Sequence, residues 1–226
     1  MWTVWVNMRQ AKRLFDASIA RLAEALERAD TAPSKVIVCI TGKNNFRRDV
    51  LPTYKGHRKR KPPGYREFQD WILDESGYTT FLRDGLEADD CLGILATSQT
   101  QIPGRKVLWS KDKDLKQIPT EHLDADARKL VTVNERDGEM LHVKQTLTGD
   151  VTDGYTGLVG FGDVAAKKFL EKHKDSPLGA VWQAVEEEYT KKGKTREDML
   201  QQARVARISR AQDYDFQNKT VKLWTP

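Results

Sequence analysis

Seven carboxylates fall in three short clusters on a chain of net charge +5: Glu87, Asp89 and Asp90 in LEADD, Asp112 and Asp114 in SKDKDL, and Asp150 and Asp153 in GDVTDGYTG. Acids gathered this closely repel one another unless a cation sits between them. Hard carboxylate oxygens suit Mg²⁺ or Mn²⁺, which keep several waters. Two such ions about 3.5–4 Å apart would activate water and stabilise the leaving oxygen of an in-line phosphodiester displacement. Each cluster taken alone also has a plain structural reading. LEADD can be a well-capped helix start, SKDKDL an Asp cap, and GDVTDGYTG a Gly/Asp turn.

The cations have their own pattern. From Lys43 to Arg66 there are nine Lys or Arg and a single acid, Asp49. This stretch holds Arg47, Arg48, Lys55, Arg58, Lys59 and Arg60, with Phe46, Tyr54 and Tyr65 interleaved. Basic side chains release counterions from phosphates, and aromatic rings stack on unpaired bases. Lys55 and Arg58 are candidates for gripping a phosphate, and Tyr54 for stacking; a solvated loop is the plainer alternative. A second candidate contact lies at the turn carrying Gly154, Gly157, Gly160 and Gly162, followed by Lys167 and Lys168. Backbone N–H groups at a turn and helix start can hold phosphate without reading bases.

Other chemistries find little support. Cys39 and Cys91 lie in an apolar run and a helical pattern, which suits buried reduced thiols rather than a disulfide framework or a zinc site. His57, His122, His142 and His173 are scattered without ligand spacing. No apolar run suits a membrane span and no secretory signal is visible, so a reducing cytoplasm is the expected compartment.

The elements that must position these residues follow from hydrophobic spacing. Residues 7–30 predict an amphipathic helix, after residues 3–6 that are β-branched enough to open as a strand. Residues 35–41 predict a buried parallel strand, and the Pro- and Gly-rich basic stretch after it predicts mobility without a ligand. Helices are expected at 65–76, 86–99, 163–172, 178–191 and 195–212, and strands at 78–82, 105–110, 129–133 and 139–143. This alternation predicts an α/β fold with a mostly parallel sheet flanked by helices. Ligands bind outside the carboxyl ends of such strands, where all three acid clusters fall.

YKGHR, LEADD, SKDKDL and GDVTDGYTGLVGFG, in this order, resemble the flap endonuclease/5′-nuclease family, with short-tailed phage 5′–3′ exonucleases as the nearest likeness. The likeness runs through nearly the whole chain, to the closing ARISRAQDYDF. It implies a PIN-like nuclease domain over residues 1–148 and a C-terminal helix–three-turn–helix with further helices over 149–226. It implies two Mg²⁺ or Mn²⁺ ions, the first served by Glu87, Asp89 and Asp112, the second by Asp114, Asp150 and Asp153, with Asp90 close by. Lys55 and Arg58 match the phosphate-gripping pair, with Tyr54 at the 5′ end. The Gly154–Gly162 turn would carry the duplex contact and a K⁺ ion on backbone carbonyls. The substrate implied is DNA with 5′ ends or flaps, with RNA–DNA hybrids in primer removal during phage replication and recombination.

Two departures stand out. The family opens with a strand ending in a metal-binding Asp, for which this chain shows no counterpart. A second Asp is expected where Gly42 stands. A central strand missing from the sheet would leave an apolar groove with exposed backbone donors and acceptors. These departures keep a catalytically weakened DNA-binding relative as an alternative, with a PIN-type ribonuclease as a third.

Overall fold

The computed structural model describes residues 6–29, 31–124, 126 and 129–226. Helix α1 (Met8–Arg28) begins where Asn7 accepts the Gln10 N–H at 3.0 Å. Of the opening segment, residues 3–5 lie outside the described part. Phe15 on α1 meets Phe68 and Trp71 of helix α3 (Tyr65–Asp74) edge-on, with Tyr78 beyond them. This aromatic cluster fastens α1 to the outside of the fold.

Strand β1 (Ile37–Thr41) runs parallel to β2 (Thr79–Arg83), with Ile37 opposite Thr79 and Thr41 opposite Arg83. Between them the basic stretch forms the short helix α2 (Arg47–Val50), a series of turns, and α3. Helix α4 (Ala88–Thr97) follows β2 and packs against β1, β2 and β3 (Val107–Leu108). Strand β3 is parallel to β4 (Glu121–Asp124), which is antiparallel to β5 (Lys129–Thr132). A final hairpin joins β6 (Tyr214–Asp215) to β7 (Thr220–Val221).

The expectation of one mostly parallel sheet is therefore corrected. Among the described residues the strands form three small sheets, and β1 and β3 each pair on one side only. Helix α4 joins the first two sheets from one face. A parallel strand uses alternate residues' backbone groups toward each neighbour, so each unpaired edge presents the rest.

The strand expected at 139–143 is also corrected. It is the middle of helix α5 (Glu135–Thr148), capped where Asn134 accepts the Asp137 N–H at 2.8 Å. This helix is buried nearly all round, from Gly138, Glu139 and His142 to Val143 and Leu147. A helix without a polar face loses the 3.6-residue alternation that would betray it. Val143 and Leu147 pack with α6 (Asp163–Lys172), α7 (Leu178–Lys191) and α8 (Arg196–Ala206) around Phe169, Trp182, Val185 and Met199. Helix α8 ends earlier than the periodicity predicts, because Arg207–Arg210 runs extended through the interior. Its buried N–H groups need partners there. Side chains supply them: Gln117 for Ile208, Asp90 for Ser209 and Asp213 for Arg210.

Candidate metal and nucleic-acid site

The three acid clusters arrive on three different segments. Thr41, at the end of β1, accepts the Ala88 N–H through Oγ1 at 3.1 Å and so fixes the start of α4. Glu87 is the N-cap of α4, and Asp89 and Asp90 lie in its first turn. Beyond β3, Asp112 accepts the Asp114 N–H at 2.9 Å and caps the 3₁₀ turn Lys113–Gln117. After α5, Asp150 bridges to Tyr155 and accepts the Thr152 N–H at 2.6 Å, closing a tight loop that presents Asp153. Two left-handed glycines let that loop close: a Cβ on Gly149 would lie 2.3 Å from the Thr156 carbonyl carbon, and one on Gly157 2.3 Å from the Gly149 nitrogen. The close approach excludes any side chain there.

The clusters face one another. Burial, followed by the charges of Asp112, Asp90 and Glu87, pushes the Asp89 carboxyl up to about 6. Burial and the charges of Asp112, Asp150 and Asp153 raise Asp114 as well. Between the first and third clusters stands Lys55, its ammonium 2.7 Å from Glu87 Oε1 and 3.3 Å from Asp153 Oδ2. Arg58 reaches Asp153 Oδ1 at 2.6 Å. The Tyr54 hydroxyl lies 2.9 Å from Glu87 and 3.0 Å from Asp153, one phenolic proton serving two carboxylates. Asp89, Asp112, Asp114 and Asp150 have no cation within ion-pair distance among the described residues, so the centre keeps excess negative charge.

The donor set suits a hard divalent ion: carboxylate oxygens from three segments, with the Lys55 ammonium lying between two of them. As arranged, no three ligand side chains among the described residues stand close enough to hold an ion.

Several expected site residues are placed elsewhere. Asp90 is fully buried, and Arg47 grips its two oxygens at 2.7 Å each. The same carboxylate accepts the N–H groups of Ser209 and Glu87, both at 3.0 Å. It positions Glu87 and has no oxygen left for a metal. Arg47, at 3% exposure, is no surface cation; it also donates to the carbonyls of Val205 and Arg207. The Tyr54 ring is buried with Tyr155, Val205 and Ala206, which removes it from stacking on a base. Gly157 is buried with its N–H donated to Gln202 at 2.9 Å, so it offers nothing to phosphate. Arg58, Arg48, Lys59, Arg60, Lys167, Lys168, Gly160 and Gly162 are exposed.

Gly42 has a structural reason. Its N–H donates to the Leu86 carbonyl, and a Cβ would fall 2.0 Å from the Arg83 carbonyl oxygen. A carboxylate at this position is incompatible with the β1–β2 crossing as it stands.

Sequence reasoning missed the buried arginines. Arg207 binds Glu139 at 2.6 Å and Asp213 at 3.0 Å, while Arg210 takes Glu139 and the Gln117 carbonyl. Both stand in the ARISRAQ segment, and nothing in local pattern separates them from surface arginines.

Comparison with known proteins points to a family. Residues 11–147 match the family model described as 5′-3′ exonuclease, N-terminal resolvase-like domain. An exonuclease of Escherichia phage T7 is 30% identical, the match covering all of this chain and 85% of the relative. An exodeoxyribonuclease of Enterobacteria phage T3 is 27% identical over all of this chain and 84% of its own. Among solved structures, a bacteriophage T5 protein co-crystallised with metal ions superposes with a TM-score of 0.58 at 18% identity, covering 86% of each chain. A T5 flap endonuclease in complex with DNA and metal ions gives 0.57, covering 86% of this chain and 84% of that one. The likeness to these structures shows the PIN-like α/β fold. With a family model spanning more than half its length and a relative 30% identical over the whole of this chain, this chain belongs to the 5′-3′ exonuclease family.

Proposed function

We propose that this chain is a divalent-metal-dependent 5′–3′ exonuclease and flap endonuclease that hydrolyses DNA phosphodiesters. The observation that carries the reading is the convergence of carboxylates from three chain segments around an internal ammonium, in a member of this family. Phage replication and recombination, with removal of RNA primers, is the setting proposed for it, in keeping with relatives that are phage exonucleases.

Glu87, Asp89 and Asp112 would hold one Mg²⁺ or Mn²⁺, and Asp114, Asp150 and Asp153 the other. Bound ions would supply Lewis-acid polarisation of the phosphoryl group and lower the pKa of the attacking water. The protein's part is positioning and charge. The Arg47–Asp90 pair fixes the first turn of α4 and so the direction of Glu87. Lys55 and Arg58, beside these carboxylates, neutralise phosphate oxygens as charge builds on them. Exposed Arg48, Lys59 and Arg60 extend the grip along single-stranded DNA. Helices α5 and α6 with the turn between them form a helix–three-turn–helix in this reading; Gly160, Gly162, Lys167 and Lys168 meet the duplex backbone, with K⁺ on turn carbonyls. The division at residue 148 is then one of role. The two parts share packing, as α5 lies against α6, α7 and α8.

Cleavage of a 5′-flapped duplex labelled at either end, with Mg²⁺, Mn²⁺ or EDTA, tests this. Asp112→Ala is expected to lose about 100-fold or more in turnover, the scale of several kcal/mol of metal-borne stabilisation. Flap binding should persist. Unchanged turnover overturns the assignment. One observation favours a second reading, a DNA-binding relative with weakened catalysis: Gly42 leaves no room for a further carboxylate. That reading expects flap binding without metal-dependent products.

A further inference from the structure

We propose that Lys55 is a built-in counter-ion that divalent metal must displace, so that metal loading and the release of this ammonium toward substrate phosphate are one event. The inference rests on the reading of the carboxylates as metal ligands and goes beyond it to how the site is kept before loading.

Three observations carry it. The Lys55 ammonium bridges two separate acid clusters, at 2.7 Å to Glu87 and 3.3 Å to Asp153, with its side chain only 13% exposed. Its backbone is held in place for this: φ is +52°, a left-handed conformation that a residue with a Cβ disfavours. The Lys55 N–H also donates to the Asp153 carbonyl at 2.7 Å, so backbone and side chain are tied to one loop. A lysine serving only to meet phosphate would need neither contact; a flexible, solvent-directed stem would do.

The exchange follows from charge and ligand demand. One ammonium is bound by an oxygen from each cluster, and a divalent ion at either cluster brings twice its charge to a carboxylate the ammonium now holds. An ion on Glu87 or on Asp153 repels an ammonium held by the same carboxylate and draws that carboxylate's charge toward itself, which weakens the Lys55 contact on that side. Metal entry therefore turns the carboxylates, frees Lys55, and leaves it beside the ions. Arg58, bound to Asp153 at 2.6 Å but far more exposed, is loosened by the same movement. The grip on phosphate is then formed only on a metal-loaded site.

Two measurements on the intact chain test this. In the first, Mn²⁺ is titrated into the metal-free wild type and Lys55→Met, following free Mn²⁺ by paramagnetic resonance at fixed pH and salt. Lys55→Met should bind the first ion about tenfold tighter or more, because the competing cation is gone. The second keeps the proposal testable even if that variant folds poorly. The wild type is acylated briefly with and without Mg²⁺, and modification is read at each lysine by mass spectrometry. Modification of Lys55 should rise several-fold with Mg²⁺ while that of exposed Lys59 stays level. Equal Mn²⁺ affinity in both proteins, or Lys55 labelling that is unchanged or falls, overturns the exchange while leaving the metal site standing. A wild type that binds no Mn²⁺ overturns the proposed function and the exchange with it.

Discussion

Truncating Asp90 to alanine removes a carboxylate that four donor groups share. The two Arg47 contacts, at 2.7 Å each, leave behind a guanidinium that is 3% exposed and cannot shed its proton. The N–H groups of Ser209 and Glu87, each bound at 3.0 Å, lose their acceptor as well. Breaking a buried pair by removing one partner costs about 3–5 kcal/mol, since the survivor stays buried; Glu87 Oε2, 3.5 Å from Arg47 Nη1, offsets part of the stranded charge and keeps the cost toward the lower end. Each orphaned N–H adds about 1–3 kcal/mol unless the Arg207–Arg210 segment relaxes toward another partner. Relaxation makes these costs overlap, so about 4–5 kcal/mol is expected, a large share of the 5–15 kcal/mol that holds a typical domain together. Urea denaturation followed by circular dichroism measures it. The second arm replaces both partners, Arg47→Met with Asp90→Leu. If the cost is the stranded charge rather than lost packing, the double variant recovers half of the loss or more. A single variant that loses less than about 1 kcal/mol would refute the reasoning, as would a double variant no more stable than Asp90→Ala.

Two further outcomes follow from the same geometry. Gly42→Ala puts a methyl 2.0 Å from the Arg83 carbonyl oxygen, which is backbone and cannot swing aside. About 1–3 kcal/mol of stability should be lost, at roughly 2–4 °C in melting temperature per kcal/mol; an unchanged melt would show that β1 and β2 separate freely. Glu139 governs part of the acid limb. Burial alone would raise its pKa, yet its carboxyl is held well below the usual range. Arg207 at 2.6 Å and Arg210 at 3.0 Å are the cause; His142 Nδ1, 3.9 Å away, is beyond hydrogen-bond reach. A depressed carboxyl contributes stability that is present above its unfolded pKa, about 4.3, and is lost as pH falls toward the folded value. Glu139→Gln should flatten the stability-versus-pH curve below about pH 4.5, and an acid limb identical to the wild type would remove Glu139 from that role.

The sequence by itself determined the chemistry on offer. Carboxylates at the start of a helix, after a strand and in a glycine turn are local patterns, and capping requires them to lie near those element ends. Helices α6 and α7 were legible to the residue because each has one apolar stripe and a clear stop. Helix α5 was not, since burial on all sides erased its alternation, and the 207–210 segment was not, since its partners lie far away in sequence. Only the tertiary structure decided which acids stay free. Asp89 and Asp90 are neighbours of one type in one helical turn, yet one faces the acid centre and the other is sealed beneath it by Arg47. The same packing separated Arg47 from Arg48 and took the Tyr54 ring out of reach of a base. Residue type sets which ions and hydrogen bonds a side chain can make. Which of them it makes depends on burial and on partners that only the folded chain brings within reach.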